Sequence, residues 1–318
     1  MKWQRFLVTG AGGFVGACLT RRLIELGADV SVLLRPTTDL WRLQGVMDKV
    51  RRFEADLLDR ASVGRAVSEA GAQVVYHLAA HGGYSTQSDA TRILEVNVLG
   101  TLNVLEACAA SPCQAFVAAG SSSEYGFSDE PMRETDRLQP NSFYAVGKAA
   151  ASHLGHYFAT LVPFSIATLR LFSVYGPYEE PTRLVPTLLR RAAAHEPLDM
   201  VAPETARDFV YVEDVVDAFL RLEELSTLHG DAINVGAGTQ VTIREVVEVV
   251  TRLTGSRSEV RWNAMPRRIW DAPHWVASIE KARTVLGWRP RHSFAEGVAK
   301  TLEWTRRSRE EVTDGVAP

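Results

Sequence analysis

Tyr144 and Lys148 stand four residues apart in Tyr144-Ala-Val-Gly-Lys148. On a helix that spacing puts both side chains on one face, one turn apart. An ammonium so placed favours the phenolate and can lower a pKa normally near 10. A phenol tuned in this way exchanges a proton with an alcohol or a ketone near neutral pH. Upstream lie a glycine-rich turn, Gly10-Ala-Gly-Gly13-Phe-Val-Gly16, and a serine run, Ser121-Ser122-Ser123. The turn has the GxxGxxG spacing. Its first glycine permits a tight strand-to-helix turn, its second lets a pyrophosphate approach the backbone, and its third lets helix pack on strand. Gly10, Gly13, Phe14, Val15 and Gly16 are thus candidate dinucleotide contacts, with the anion at the helix N-terminus. Together these residues point to nicotinamide-dependent chemistry at a carbinol or carbonyl carbon.

Elements must exist to position these groups. The first half alternates short apolar runs with helix-like stretches. Strands are expected at Phe6–Val8, Val30–Leu34, Val50–Glu54, Val74–Leu78, Ala115–Ala118 and Phe164–Arg170. Helices are expected at Phe14–Leu26, Asp59–Ala70, Ala90–Ala110 and Phe143–Thr160. That alternation predicts an α/β fold, a doubly wound parallel sheet with helices on both faces. After Tyr175-Gly-Pro177 the pattern loosens into helices near Leu184–His195, Val212–Leu225, Ile243–Thr254 and Phe294–Ser308. The expected division is a dinucleotide-binding Rossmann domain of residues 1–172 plus about 207–235, and a smaller substrate-binding lid of residues 173–206 and 236–318.

Composition excludes several classes. The chain has 318 residues, of which 46% are hydrophobic and 23% charged, with a formal net charge of −3. This balance gives no reason to expect nucleic acid or an anionic membrane as partner. Cys18, Cys108 and Cys113 have neither metal-type spacing nor the look of a disulfide framework, so no metal site is expected and a cytoplasmic setting fits. No apolar run approaches a membrane span.

The end of the second strand reports on the cofactor. A carboxylate there would take the ribose 2′-hydroxyl of NAD. Leu34 and Arg35 stand there instead, which favours the 2′-phosphate of NADP(H) while leaving NAD(H) possible. Arg35 also reads as a solvated loop residue. Asp56 and Leu57 follow the third strand at a position suited to adenine. Ala79 and Ala80 leave the fourth strand with small side chains that make room for a cofactor, and His81 either faces the substrate or makes a structural hydrogen bond.

From Arg5 to Trp304 the chain resembles the extended short-chain dehydrogenase/reductase family, the sugar-nucleotide epimerases, dehydratases and ketoreductases. The resemblance rests on Gly10–Gly16, His77-Leu-Ala-Ala80, Asn97-Val-Leu-Gly-Thr101, Ser121–Gly126 and Tyr144–Lys148. It continues through Leu169–Pro177, Arg207-Asp-Phe-Val-Tyr-Val-Glu-Asp214 and Leu286-Gly-Trp-Arg-Pro290. It implies a sheet of about seven strands and a nucleotide-diphosphate sugar as substrate. It implies Ser121 as the hydroxyl holding the reacting oxygen, Tyr144 as acid/base, and Lys148 as the group that lowers the Tyr144 pKa and binds the nicotinamide ribose. Arg207 and Arg268 fall at positions that hold the ribose or phosphate of the sugar nucleotide, a task suited to the planar guanidinium fork. His81, Ser122, Ser123 and Tyr178 are the other implied substrate contacts, and Tyr84, Glu124, Glu179 and Trp275 are further candidates for lining the sugar pocket. A homodimer through the helices at Ala90–Ala110 and Phe143–Thr160 is implied as well.

Members of that family differ after the serine. Hexose 4,6-dehydratases carry Asp-Glu where this chain has Ser122 and Ser123, and Glu124 falls one position late for a second dehydratase pattern. Dehydration is therefore disfavoured. A non-catalytic NADP-binding protein is disfavoured too, because Ser121, Tyr144 and Lys148 are all present. The NADP-like Leu34-Arg35, Gly120–Gly126 and His81-Gly-Gly-Tyr84 resemble 4-ketoreductases of NDP-4-keto-6-deoxyhexoses, which is the expected activity. The alternative is an NAD-dependent nucleotide-sugar 4-epimerase.

Overall fold

The computed structural model describes residues 3–84, 86–266 and 272–313. Seven parallel strands form its centre: β1 (Arg5–Thr9), β2 (Asp29–Leu34), β3 (Arg51–Glu54), β4 (Val74–His77), β5 (Ala115–Ser121), β6 (Ser165–Leu171) and β7 (His229–Val235). Their order is β7-β6-β5-β4-β1-β2-β3. Alternate residues feed opposite faces, as the pleat requires. Phe6 and Val8 of β1 enter one core with Val30, Val32 and Tyr76, while Leu7 enters the other with Leu33 and Val75.

The first face is covered by α1 (Phe14–Glu25), with Val215 and Phe219 from a later helix, Val212–Phe219, and with Ala282, Leu286 and Trp288. The second is covered by α2 (Arg60–Ala70), with α3 (Ala90–Leu94) packed beside the helices α4 (Gly100–Ala109) and α5 (Phe143–Phe158) that complete the layer. Asp59 caps α2 by accepting from the N–H groups of Ala61 and Ser62, and Ser142 caps α5 through Ala145. The Ser142 cap fixes where α5 begins, and so sets Tyr144 in its first turn.

Three features differ from the sequence expectation. The stretch expected as one helix from Ala90 is interrupted by a π-helical turn, Glu95–Leu99. That turn aims Asn97 at the loop after β4, where its amide brackets His81, accepting from the His81 N–H and donating to its carbonyl, both at 2.8 Å. The stretch expected from Val212 to Leu225 ends at Phe219 and resumes at Leu222–Leu225. The apolar strand β7 and the helix Glu280–Leu286 were not assigned by periodicity, and both pack at the outer edge of the sheet.

A third core lies beside the strand ends. It packs α6 (Leu184–Ala193) against the helices Ile243–Thr254 and Phe294–Thr313, with Tyr175 and Tyr211 between them. Short strands link it to the sheet, Ser173–Tyr175 pairing with Phe209–Tyr211.

The strand order reverses between β1 and β4, where crossovers diverge to opposite faces and leave a crevice at the carboxyl ends. There the backbones nearly touch. Gly10 has φ +74°, and a Cβ on it would stand 2.5 Å from the Ala79 nitrogen. Gly10→Ala is therefore expected to lose cofactor retention and about 1–3 kcal/mol of stability. Thermal unfolding with and without NAD checks this. A variant that melts and binds like the parent contradicts the close approach.

Candidate active site

The glycine turn leaves the start of α1 open. Gly13 is its N-cap and is exposed; no side chain caps the helix, and no acidic residue occupies its first turn. Phe14 packs toward the third core and Val15 toward the first, so their side chains anchor the helix while its end faces the crevice. An uncapped helix N-terminus with its positive dipole end is a site for a pyrophosphate. A Cβ on Gly16 would stand 2.2 Å from the Gly10 carbonyl oxygen, so helix and turn are in direct contact. Arg42, buried beneath, donates to the Gly12 carbonyl at 3.4 Å, to the Tyr178 carbonyl at 2.7 Å and to Glu180 at 3.0 Å. These residues fit a dinucleotide.

At the far end of the crevice Leu34 is buried and Arg35 is exposed. No carboxylate ends β2. After β3, Asp56 accepts from the Leu58 N–H at 3.0 Å and pairs with Arg92 at 3.0 Å. The Leu58 hydrogen bond and Arg92, with Arg35 adding to them, hold that carboxyl below its ordinary range. Leu57 differs from the expectation, because its side chain is buried in the second core against Gly100. Its carbonyl is also occupied, accepting from Asn103. Ala79 and Ala80 border the crevice, Ala80 partly exposed. His81 has its imidazole pKa pushed down by burial together with Arg35 and Arg92. The structural hydrogen bonds of His81 run through its backbone to Asn97.

The catalytic candidates converge at the end of β5. Ser121 closes that strand and caps the 3-10 turn Ser122–Tyr125. Its hydroxyl meets the Ser123 hydroxyl at 2.8 Å and acts to lower the pKa of the Tyr144 phenol. One turn along α5, buried Lys148 donates its ammonium to the Ala119 carbonyl of β5. Burial pushes the Tyr144 phenol up to about 12, against the Ser121 hydroxyl; Glu124 adds to the rise and Arg183 opposes it. Burial thus opposes the lowering of this phenol that is expected of Lys148. Its charge is shared with a carbonyl, and desolvation decides. Burial also pushes Lys148 down to about 8, with Glu124 opposing. Behind them His77 bridges Thr9 at 2.8 Å and Thr101 at 3.0 Å, and burial with the Lys148 charge takes its pKa to about 3. It is a neutral strut.

The remaining candidates divide. Ser123 belongs to the hydroxyl cluster. Ser122 is turned away and buried, accepting from the Trp275 indole at 3.1 Å. The Arg207 guanidinium lies 5.5 Å from the Trp275 ring centre, so Arg207, Trp275 and Ser122 form one stack behind the catalytic turn. Glu124 lies beneath the turn, fully buried, and lines no sugar pocket. Tyr178 is the clearest correction. It adopts φ +69°, and its ring packs against Trp41, Trp304 and the Arg21 guanidinium on the outer side of α1, away from Tyr144. Arg268 lies outside the described residues. Sequence reasoning missed Arg183, an exposed cation just before α6 whose charge reaches Tyr144, and no motif marks it. It also missed the supporting role of Glu124, for which the Ser-x-x-Glu spacing of a capping box was a signal. Among the described residues no cluster of ligands suits a metal ion, and no helix is long and apolar enough to cross a membrane.

The Lys148 environment has a stability consequence. Unfolded, a lysine keeps its proton up to 10.5; folded, Lys148 keeps it only to about 8. The unfolded state thus binds more protons between those values, and stability rises with pH across that window. The full cost is present below pH 8. Lys148→Met is expected to abolish turnover yet raise the melting temperature at neutral pH, with the gain fading towards pH 10.5. Melts across that range check the sign.

Comparison with known proteins agrees with this geometry. The NAD dependent epimerase/dehydratase family profile matches residues 6–236. A probable UDP-glucuronate 4-epimerase of Rhizobium meliloti (strain 1021) is 29% identical over 332 residues, covering 95% of this chain and 96% of its own. The structure of MoeE5 in complex with UDP-glucuronic acid and NAD is 34% identical, covers 96% of this chain and 99% of that one, and has a TM-score of 0.83. The UDP-glucose 4-epimerase of Thermus thermophilus, in complex with NAD, is 33% identical with coverage of 95% and 99% and a TM-score of 0.84. The match over most of its length, with the open glycine turn and the Ser121, Tyr144 and Lys148 cluster, makes this chain a member of the NAD-dependent epimerase/dehydratase family.

Proposed function

We propose that this protein is a 4-epimerase of a nucleotide-diphosphate hexose, with a UDP-sugar as substrate and NAD as cofactor. The observation that carries the reading is the convergence of Ser121 at the carboxyl end of β5 with Tyr144 and Lys148 one turn apart on α5, Lys148 being tied to β5 through the Ala119 carbonyl. The epimerases among its relatives support it over the 4-ketoreductase expected from sequence. NAD in two of the similar structures supports the cofactor.

Bound NAD would supply a hydride acceptor at C4 that later returns the hydride. Tyr144 takes the proton of the C4 hydroxyl as the C4–H bond breaks, leaving a C4 ketone, and gives it back when the ketone is reduced from the opposite face. Ser121 holds the C4 oxygen by hydrogen bonding, which stabilises the charge it develops. Lys148, kept cationic by Glu124 against its burial, favours the phenolate during the first step. Residues 1–172 and about 207–235 hold the cofactor in this reading. Residues 173–206 and 236–318 hold the sugar nucleotide, with Arg207 and Arg268 on the diphosphate side. Dehydration stays disfavoured, since Ser122 is engaged by Trp275 and neither Ser122 nor Ser123 is an acid.

A second reading, an NADPH-dependent 4-ketoreductase, is favoured by one observation, the exposed Arg35 beside a buried Leu34 where a carboxylate would take the 2′-hydroxyl. The exposed apolar residues Phe143, Val146 and Tyr157 of α5, with Leu161 just past its end and Leu99 in the π-helical turn, support a homodimer through these helices.

The assay offers UDP-glucose and UDP-glucuronate with NAD, and separately NDP-4-keto-6-deoxyhexoses with NADPH. The C4-inverted product without net change in nicotinamide absorbance is expected. Stoichiometric NADPH oxidation would give the protein to the ketoreductases. Tyr144→Phe should cut kcat by about 10²–10⁴-fold while leaving NAD binding intact, and an active variant would remove Tyr144 from the reaction. Tyr157→Glu is expected to convert the dimer to monomer in light scattering. A parent protein that is already monomeric sinks that part.

A further inference from the structure

Beyond its charge on Lys148, Glu124 is bonded to three of the elements around the catalytic cluster: the serine turn, α5 and β6. Its side chain is fully buried. One carboxylate oxygen accepts the backbone N–H of Ser121 at 2.8 Å. The other accepts from the Ser152 hydroxyl on α5 at 2.8 Å and from Arg170 Nε on β6 at 2.9 Å. Arg170 is buried as well and donates its next nitrogen to the Tyr125 hydroxyl at 2.9 Å, which donates to Asn234 on β7 at 2.7 Å. One acid thus joins the serine turn to α5 and, through Arg170, to the two outer strands. A Cβ on Gly120 would stand 2.8 Å from the same carboxylate, so the strand leading to Ser121 is fitted around it.

We propose that Glu124 is the positioning residue of the catalytic turn, fixing the Ser121 hydroxyl against Tyr144 and supplying the negative charge that governs when the Tyr144 and Lys148 pair gives up protons. The inference rests on Tyr144 acting as the acid/base, as in the reading above. The groups that act on Tyr144 are Ser121 and Glu124 from the turn, Arg183 from the start of α6 and Tyr84 from the loop after β4, while Lys148 follows one turn along its own helix. Lys148 is faced by Glu124 and by neutral His77. Glu124 therefore acts on both members in one sense, holding the phenol neutral and the amine charged. That is the protonation state from which Tyr144 returns the proton to the C4 oxygen in the second half of the reaction.

Two variants separate position from charge. Glu124→Asp keeps the charge and shortens the reach to the Ser121 N–H. Glu124→Gln keeps the shape and removes the charge. Each is compared with the parent by the pH dependence of turnover and by titration of the Tyr144 phenol, followed by NMR of ζ-¹³C-labelled tyrosine. Glu124→Asp is expected to lower kcat on the order of 10²-fold through misplacement of the serine, with the titration midpoint unmoved. Glu124→Gln is expected to move the midpoint to lower pH by about one unit, in line with loss of a nearby like-signed charge. If Glu124→Gln does not fold, the paired Glu124→Gln/Arg170→Gln variant removes both buried charges and should move the midpoint the same way. Equal losses of activity in both variants with an unmoved midpoint would make Glu124 a scaffold residue and overturn the proposal. The titration needs no substrate. A wrong sugar assignment would therefore leave the midpoint shift intact and show itself as absent turnover in the parent.

Discussion

The buried pair of Glu124 and Arg170 is the constraint around which the rest of the catalytic end is arranged. Two ions out of water gain from each other only when geometry and additional hydrogen bonds complete them, and losing one partner costs about 3–5 kcal/mol. Here the completion comes from Ser152, Tyr125 and the Ser121 backbone, which are the elements that must be in register for catalysis. The side chains that satisfy the charge are therefore the ones that aim the serine. A small displacement of β6 or α5 would leave a carboxylate uncompensated, so the cluster has a steep restoring force.

The cofactor turn works on another principle, the close approach of bare backbone. The passage from β1 into α1 is shaped by what is missing, a Cβ at Gly10 and Gly16 and a side-chain cap on α1. The result is a row of backbone donors at a positive helix end, with Arg42 gripping the Gly12 carbonyl from below. Arg42 also grips the Tyr178 carbonyl and Glu180, which ties the glycine turn to the segment entering the second lobe. One buried guanidinium thus couples the cofactor turn to the chain expected to cover the substrate.

The pattern at the ribose and the pattern of the relatives pull in different directions. Leu34 and Arg35 leave no acid at the end of β2, whereas two of the similar structures contain NAD. Asp56 stands close by in the field of Arg35 and paired with Arg92, so the local charge is mixed and not purely cationic. A mixed site accepts a ribose hydroxyl more readily than a cluster of free arginines would, which is consistent with NAD.

The local part of this protein was legible in its sequence. Short apolar runs alternating with helix-like stretches mark the strands and helices of the first half, because parallel strands covered on both faces are apolar at nearly every position. The glycine spacing and the four-residue step from Tyr144 to Lys148 depend on backbone geometry within one turn, so they too can be read from order alone. What the tertiary structure decided involves partners distant in the chain. Glu124 was a candidate pocket residue until Arg170, 46 residues on, turned it inward. Ser122 was a substrate contact until Trp275, 153 residues on, claimed its hydroxyl. Tyr178 follows the Leu169–Pro177 motif, and its ring packs against Trp41 and Trp304, neither of them near it in the sequence. The direction of the Tyr144 pKa also belonged to the fold. Spacing supplies the neighbouring cation, but burial depends on everything packed around the hydroxyl, and desolvation is the larger effect.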